Sequence, residues 1–391
     1  MDTLPFQRPI TDFFCHNQEC PDHGLKTKGN LKFQGFSDKR KTIRMVYCRT
    51  CKKSHSERKG TALSGVKLRY DKAISVFEHL REGVGQRAIG RLVKVDKDTV
   101  ARLAYKAGKH AVLMHNELVE YSPKSREIQM DEKWAFIGKK KNQLSEEEKK
   151  VGNLGDRWDH VAQDAESRLI LSLIPGKRTD QACIDLIKDV KERTRSRADI
   201  YFTSDEHPGY EKGIEINYGK KRRKKRKSKL KRNTHQLELW KEEEITVTPS
   251  ALIQLPPELV YATVRKTRKG SRIVKVVQTL VFGAVMMLSF FLERSKASKT
   301  INTSFVERVN GTDRSQNARK RRKANFFSRK HEIHDLVGYF IGYSYNFCWT
   351  VRTLRKKKLD GSFRQNTPAM AAKLSDHIWS VAEWVTRPVK L

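Results

Sequence analysis

The spacing of apolar residues changes along the chain, and each change predicts a different kind of element. Near the amino terminus, "LKFQGF" and "TIRMVY" alternate with the period of strands. From Tyr70 to about residue 110 the period lengthens to that of helices. In "YDKAISVFEHLREG", Ala73, Ile74, Phe77 and Leu80 share a face; "GQRAIGRLV" contributes Ile89, Leu92 and Val93; "DKDTVARLAYKAGKHA" turns Val100, Leu103, Ala104 and Ala107 inward, with Asp96 or Asp98 as its cap.

Past residue 125 the strand period returns. "EIQMD" sets Ile128 and Met130 against Gln129 and Asp131, and "RWDHVAQDAESRLILSLIPG" predicts a hairpin with strands near 158–162 and 169–174. "TDQACIDLIKDVKERT" is an amphipathic helix facing inward through Cys183, Leu186, Ile187 and Val190, and "ADIYFTSDEH" is a buried strand ending at Asp205. This β-β-β-α-β order predicts a mixed α/β sheet whose helix crosses over to a parallel strand. If the strands ending near Asp131 and Asp205 are neighbours, the two carboxylates converge at one sheet edge. "ELVYATVRKTRKGSRIVKVVQTLVFG" predicts two more strands around a basic turn at Gly270, offering Arg265, Lys266, Arg268 and Lys269 to phosphates. Glu307 falls in a helical segment, and "LSDHIWSVAEWVTRPV" predicts a packed closing helix through Ile378, Val381 and Trp384.

Charge narrows the partners. The 391 residues carry 81 Lys+Arg against 45 Asp+Glu, a net +36, which favours a polyanion and repels itself without one. Nucleic acid is the leading candidate. The start "MDTLPFQRPITDF" lacks the pattern of a secretory signal, and the longest apolar run, Leu280 to Leu292, is too short for a bilayer and reads as buried strand and helix. The expected location is cytoplasmic, on the nucleoid, with no membrane partner.

Of six cysteines, Cys15 and Cys20 form one close pair and Cys48 and Cys51 another. In an unsecreted protein, two thiolate pairs carried on strand turns predict a zinc ribbon, whose tetrahedral Zn²⁺ site replaces a core too small to fold alone. His16, His23 and His55 are then expected to face solvent, and Cys183 and Cys348 to be core residues. The helices that follow suit a helix-turn-helix, the last presenting Lys97, Arg102 and Lys106 to a DNA major groove; a small bundle with a basic face is the plainer alternative.

The paired cysteines, the helix-turn-helix, "QMDEKWAFIGKK", "YFTSDEHPGY", "NTSFVERVN" and "FSRKHEIHDLVGYFIGYSYNF" together resemble the insertion-sequence-one family of DDE transposases, over nearly the whole chain. The resemblance implies a ribonuclease-H-like mixed sheet with flanking helices, preceded by the ribbon and the helix-turn-helix. The expected boundaries are 1–62, 63–120 and 121–391, with a basic insertion around 206–306. It implies that Asp131, Asp205 and Glu307 are the catalytic triad holding Mg²⁺ or Mn²⁺. Arg314, seven residues after the glutamate, matches the basic position that follows it in the family, and Arg308 adds a further DNA contact. Two departures stand out: Gly311 and Asp313 in "ERVNGTDR", and the run "KKRRKKRKSKLKR" (220–232), read as a phosphate-binding loop that also has the composition of a nuclear-localisation stretch.

Hard divalent cations take oxygen ligands, and two of them can activate the nucleophile and stabilise the leaving oxygen of a phosphodiester, so carboxylates suit the task and thiolates do not. Glu132 is expected on the opposite strand face in a structural role. Trp134 and His207 read as packing residues, with stacking on an unpaired base as the alternative for either. The expected function is cleavage at element ends and transfer of the 3′-hydroxyl into target double-stranded DNA by a homo-oligomer that synapses two ends. The alternative is a non-catalytic, domesticated transposase acting as a DNA-binding regulator.

Overall fold

The computed structural model describes residues 8–39, 41–120, 125–221, 245–247 and 253–390. Most of the basic run at 220–232, residues 222–232, lies outside them. In chain order the elements are strands β1 (Leu31–Phe36), β2 (Arg44–Cys48) and β3 (Ser54–Ser56), helices α1 (Tyr70–Arg81), α2 (Gln86–Val93) and α3 (Lys97–Leu118), strand β4 (Glu127–Ile137), helix α4 (Glu146–Val151), strands β5 (Gly155–Asp164) and β6 (Ile170–Gly176), helix α5 (Asp180–Arg193), strand β7 (Tyr201–Ser204) and helix α6 (Pro208–Tyr218). There follow short strands β8 (Lys220–Lys221), β9 (Ile245–Val247) and β10 (Ile253–Gln254), the long pair β11 (Val260–Lys269) and β12 (Arg272–Phe282), and helices α7 (Val285–Arg294), α8 (Ser304–Gln316) and α9 (His331–Cys348), with α10 (Pro368–Ala371) and α11 (Val381–Thr386) near the end.

The chain forms two compact units, residues 1–120 with 135–155 and 313–391, and residues 121–134 with 156–312. Residue 120, one of the expected boundaries, ends the first of these stretches, while residue 62 marks no division, and each unit gathers separate stretches of the chain. The reason within the first unit is α9, which packs on α3. Gly108 makes this possible: a Cβ there would lie 2.4 Å from the Leu336 carbonyl oxygen. His115 stacks on Tyr343 with ring centroids 3.6 Å apart. The predicted helices α1 to α3 form, and Asp96 caps α3 by accepting from the Asp98 N–H. Leu92 departs from expectation and is exposed, because Ile89, Gly90 and Val93 set the buried face of this short helix about 100° away from it. The closing helix is shorter than expected: Ser380 accepts from the Glu383 N–H and starts α11 at Val381, leaving Ile378 exposed ahead of it while Trp384 is fully buried.

The second unit is built on a mixed sheet in the order β6-β5-β4-β7-β11-β12-β9, with helices against it. This arrangement is consistent with a ribonuclease-H-like fold. Helix α5 packs on β6 and α6 and carries the chain across to β7, which pairs parallel to β4 with Glu127 opposite Tyr201, Ile128 opposite Phe202 and Gln129 opposite Thr203. The β11–β12 hairpin turns at Gly270, whose φ of +63° is the left-handed conformation glycine adopts without strain.

β4 is buried on both faces rather than polar on one. Gln129 is fully buried, and its Oε1 accepts from the Phe305 and Val306 N–H groups at 3.0 and 3.3 Å, satisfying the first turn of α8. Two residues earlier, the buried Glu127 carboxylate accepts from the hydroxyls of Ser295 and Ser298. Two polar side chains of one strand thus hold the segment leading into α8. Gln129→Met, which keeps the volume but removes the acceptor, should cost about 1–3 kcal/mol in urea unfolding by stranding these donors. An unchanged unfolding midpoint would mean that the latch contributes nothing.

Candidate metal and nucleic-acid sites

Parallel pairing of β4 with β7 positions the first site. Continuing its register two residues past Gln129 and Thr203 brings Asp131 alongside Asp205, as anticipated for neighbouring strands. Asp131 is held by the Asn310 amide, which donates to its Oδ2 at 2.9 Å from α8. Burial, reinforced by the negative charges of Asp205 and Glu307, pushes its pKa up to about 6.

Glu132 points from the other strand face, as alternation requires, and its side chain is only 1% exposed. It nevertheless shares the cluster: ligand oxygens of Asp131, Glu132 and Asp205 all lie within 4.8 Å of one another. The reason is that Asp205 follows the last residue of β7 and so stands at the sheet edge, beyond both faces. Burial and the Asp205 charge raise the Glu132 pKa to about 8, against the opposing pull of Arg178. Arg178 Nη2 lies 3.6 Å from Glu132 Oε2 and 4.0 Å from Asp205 Oδ2.

Glu307 lines the same cleft from α8 but outside that tight cluster. Its carboxylate is bound by the Lys266 ammonium of β11 and accepts from the Thr303 hydroxyl at 2.7 Å. The cleft, about 500 Å³, is also lined by Arg178, Arg265 and Arg268, so carboxylates are surrounded by cations. The chemistry of the donor set fits a hard divalent cation. Several oxygens converge, and Asp205 Oδ1 is buried without a hydrogen-bond partner among the described residues.

In the other unit, the two cysteine pairs meet. Cys15 Sγ lies 3.6 Å from Cys51 Sγ and Cys20 Sγ 3.9 Å from Cys48 Sγ, with all four within 4.8 Å. Tetrahedral bonds of about 2.3 Å place sulfurs about 3.8 Å apart, so the cluster fits a zinc-like ion, and the separations are far too long for disulfides. Burial raises the Cys15 thiol to about 12; at Cys51 burial acts the same way, but the Lys53 N–H and the Cys15 and Asn17 side chains pull it down to about 7. His16 and His55 are not solvent-facing as expected. Both are buried, their rings 4.8 Å apart edge to face, because the small core beside the cysteine cluster uses them as packing.

The expected DNA contacts divide. Lys97, Arg102 and Arg308 are exposed, and Arg314 is half-buried. Lys106 is committed to its own unit, donating to the Ser64 carbonyl at 2.7 Å. Among the residues that sequence reasoning passed over is Arg178. Its only signal was a position just after β6 and ahead of the helix that leads to Asp205.

No family model matches the sequence, and no curated protein matches it. Solved structures with partial likeness include a Mos1 transposase paired-end complex with the left transposon end (14% identity, TM-score 0.16, 38% of this chain and 56% of that one). Others are a pre-cleavage Mos1 transpososome (14%, 0.16, 38% and 57%) and a Mos1 mariner paired-end complex with Mn (13%, 0.15, 39% and 56%). The chain spans little more than half the length of each, and at these TM-scores the likeness carries no argument.

Asp131 yields a pH prediction. Its carboxyl holds a proton more tightly in the fold than the unfolded value near 4 allows. The folded state therefore carries the extra proton between about pH 4 and the raised value of about 6, and stability falls as pH rises through that window. Without added Mg²⁺ or Mn²⁺, Asp131→Asn should flatten this fall and unfold at higher urea than wild type at pH 7. Parallel pH profiles for the two proteins would contradict the assignment.

Proposed function

We propose that this chain is a DDE-type DNA transposase: a metal-dependent phosphoryl transferase that cuts at the ends of an element and joins the freed 3′-hydroxyl to target DNA. The observation that carries this reading is the convergence of Asp131 and Asp205 at the edge of adjacent parallel strands, in a cation-rimmed cleft that Glu307 also lines. A carboxylate cluster crowded this closely and partly withdrawn from water is expensive unless positive charge is meant to sit there.

In this reading Asp131, Asp205 and Glu307, the last now paired with Lys266, would hold cations of the Mg²⁺ class. Such ions, when bound, activate the attacking oxygen and offset charge on the phosphate. Asn310 keeps Asp131 oriented by its amide hydrogen bond. Arg178, Arg265, Lys266 and Arg268 supply fixed positive charge along the cleft, suited to DNA phosphates on either side of the cut. The Cys15, Cys20, Cys48 and Cys51 cluster acts as a Zn²⁺ ribbon, and α2 with α3 as a helix-turn-helix whose exposed Lys97 and Arg102 reach DNA. Arg308 and Arg314 add contacts beyond Glu307. Synapsis of two ends calls for a homo-oligomer on DNA, working at the nucleoid.

The test is cleavage and joining of a labelled duplex carrying the inverted repeat from the DNA flanking the gene, with Mg²⁺ or Mn²⁺. Asp205→Asn should bind this duplex as wild type does, yet lose more activity than the roughly 10–100-fold expected for a lost outer partner of a metal ligand. Binding of the repeat without nicking by wild type would favour the regulator. Equal activity in the variant would remove Asp205 from the site.

A further inference from the structure

Behind the carboxylate cleft, three donors of different chemistry meet. Glu132 comes from β4, Cys183 from the first turns of α5, and His207 from the residue capping α6. His207 Nδ1 lies 3.7 Å from Cys183 Sγ and 3.7 Å from Glu132 Oε1, and ligand atoms of all three fall within 4.8 Å of one another. Around a tetrahedral zinc ion, bonds of about 2.0–2.3 Å set such donors about 3.3–3.6 Å apart, so the two His207 pairs have only a few tenths of an ångström to close.

The three donors have different polar surroundings. The Gly209 N–H donates to His207 Nδ1 at 3.1 Å, so that nitrogen is the unprotonated one of the ring; it has a single lone pair, and an ion bound there takes the place of the Gly209 hydrogen bond. The two Glu132 oxygens have separate surroundings: Oε2 faces Arg178, while Oε1 is buried without a hydrogen-bond partner among the described residues. A carboxylate this deeply enclosed rarely leaves an oxygen idle. Gly209 completes the enclosure, since a Cβ there would come 2.9 Å from both Cys183 Sγ and His207 Cε1.

We propose that Glu132, Cys183 and His207 form a binding site for a thiophilic divalent cation of the zinc class, separate from the oxygen-only site of Asp131 and Asp205. A set of one sulfur, one nitrogen and one oxygen selects Zn²⁺ over Mg²⁺, and three protein ligands leave a fourth position for water. Binding releases to solvent the Cys183 thiol proton and the proton that burial keeps on Glu132 up to about pH 8, since a coordinated thiol and carboxylate are both deprotonated. The ion ties β4, α5 and the start of α6 together immediately beside Asp131 and Asp205, and so stiffens the strand ends that carry them. This inference goes beyond the proposed function and holds whether or not the chain cuts DNA.

Native mass spectrometry of the full chain purified in Zn²⁺ counts the ions directly. Wild type should hold about two zinc ions, one in the ribbon and one here. Cys183→Ser and His207→Asn, the latter retaining a capping side chain, should each hold about one, as should the isosteric Glu132→Gln. Cys348→Ser should match wild type. A wild type holding about one zinc, lost only on Cys48→Ser, would overturn the site and leave Cys183 and His207 as packing and capping residues. So would a second zinc that all three variants retain. A second zinc that depends on these residues supports the site even if DNA cleavage is absent, which separates its fate from that of the transposase reading.

Discussion

The catalytic geometry proposed here depends above all on the way β4 is pinned within its sheet. Parallel pairing with β7 fixes its register and brings Asp131 level with Asp205. The buried side chain of Gln129 fixes what lies over it, by satisfying the backbone donors that open α8. A helix terminus buried without such an acceptor is costly, so the hydrogen bonds locate the helix as well as stabilise it. Once α8 is placed, Asn310 reaches Asp131 and Glu307 reaches the cleft without further adjustment. One strand therefore carries a metal-ligand candidate and the device that delivers its partners.

The electrostatics of the second unit follow from this crowding. Carboxyl groups brought together out of water repel each other and resist ionisation, which is why Asp131 and Glu132 hold their protons above the usual range. The chain relieves part of the repulsion with its own cations, Arg178 between Glu132 and Asp205 and Lys266 on Glu307. Such pairs are exchangeable in kind: a cation that neutralises a carboxylate in the cleft is equally suited to a DNA phosphate. In the proposed reading, the same side chains would both keep the acidic site folded and hold a nucleic-acid substrate.

Donor chemistry separates the metal neighbourhoods. Four thiolates in the first unit, oxygens alone around Asp131 and Asp205, and a mixed sulfur, nitrogen and oxygen set around Cys183 call for different ions. Glu132 stands where the last two meet. Its neighbour on the strand faces the opposite side, yet Asp205 reaches both because it lies past the end of β7.

Much of this was legible in the sequence. Alternation and helical spacing located β1, β2, β4, β5, β6 and β7 and the helices α1, α2, α3 and α5, because apolar periodicity is a local property of each segment. The spacing of Cys15, Cys20, Cys48 and Cys51 announced a thiolate cluster for the same reason. What only tertiary structure decided depends on residues far apart in the chain. The burial of Gln129 and Glu127, polar residues in an alternating strand, depends on hydrogen bonds to segments about 170 positions later. The grouping of α9 with α3 rests on a close approach at Gly108 that no periodicity reveals. His16 and His55 are drawn inside because so small a cysteine-bearing segment has little else to pack. Cys183 looked like one more apolar position on a helix face. Only the fold set it beside Glu132 and His207, since three single residues on three separate elements leave no spacing to read.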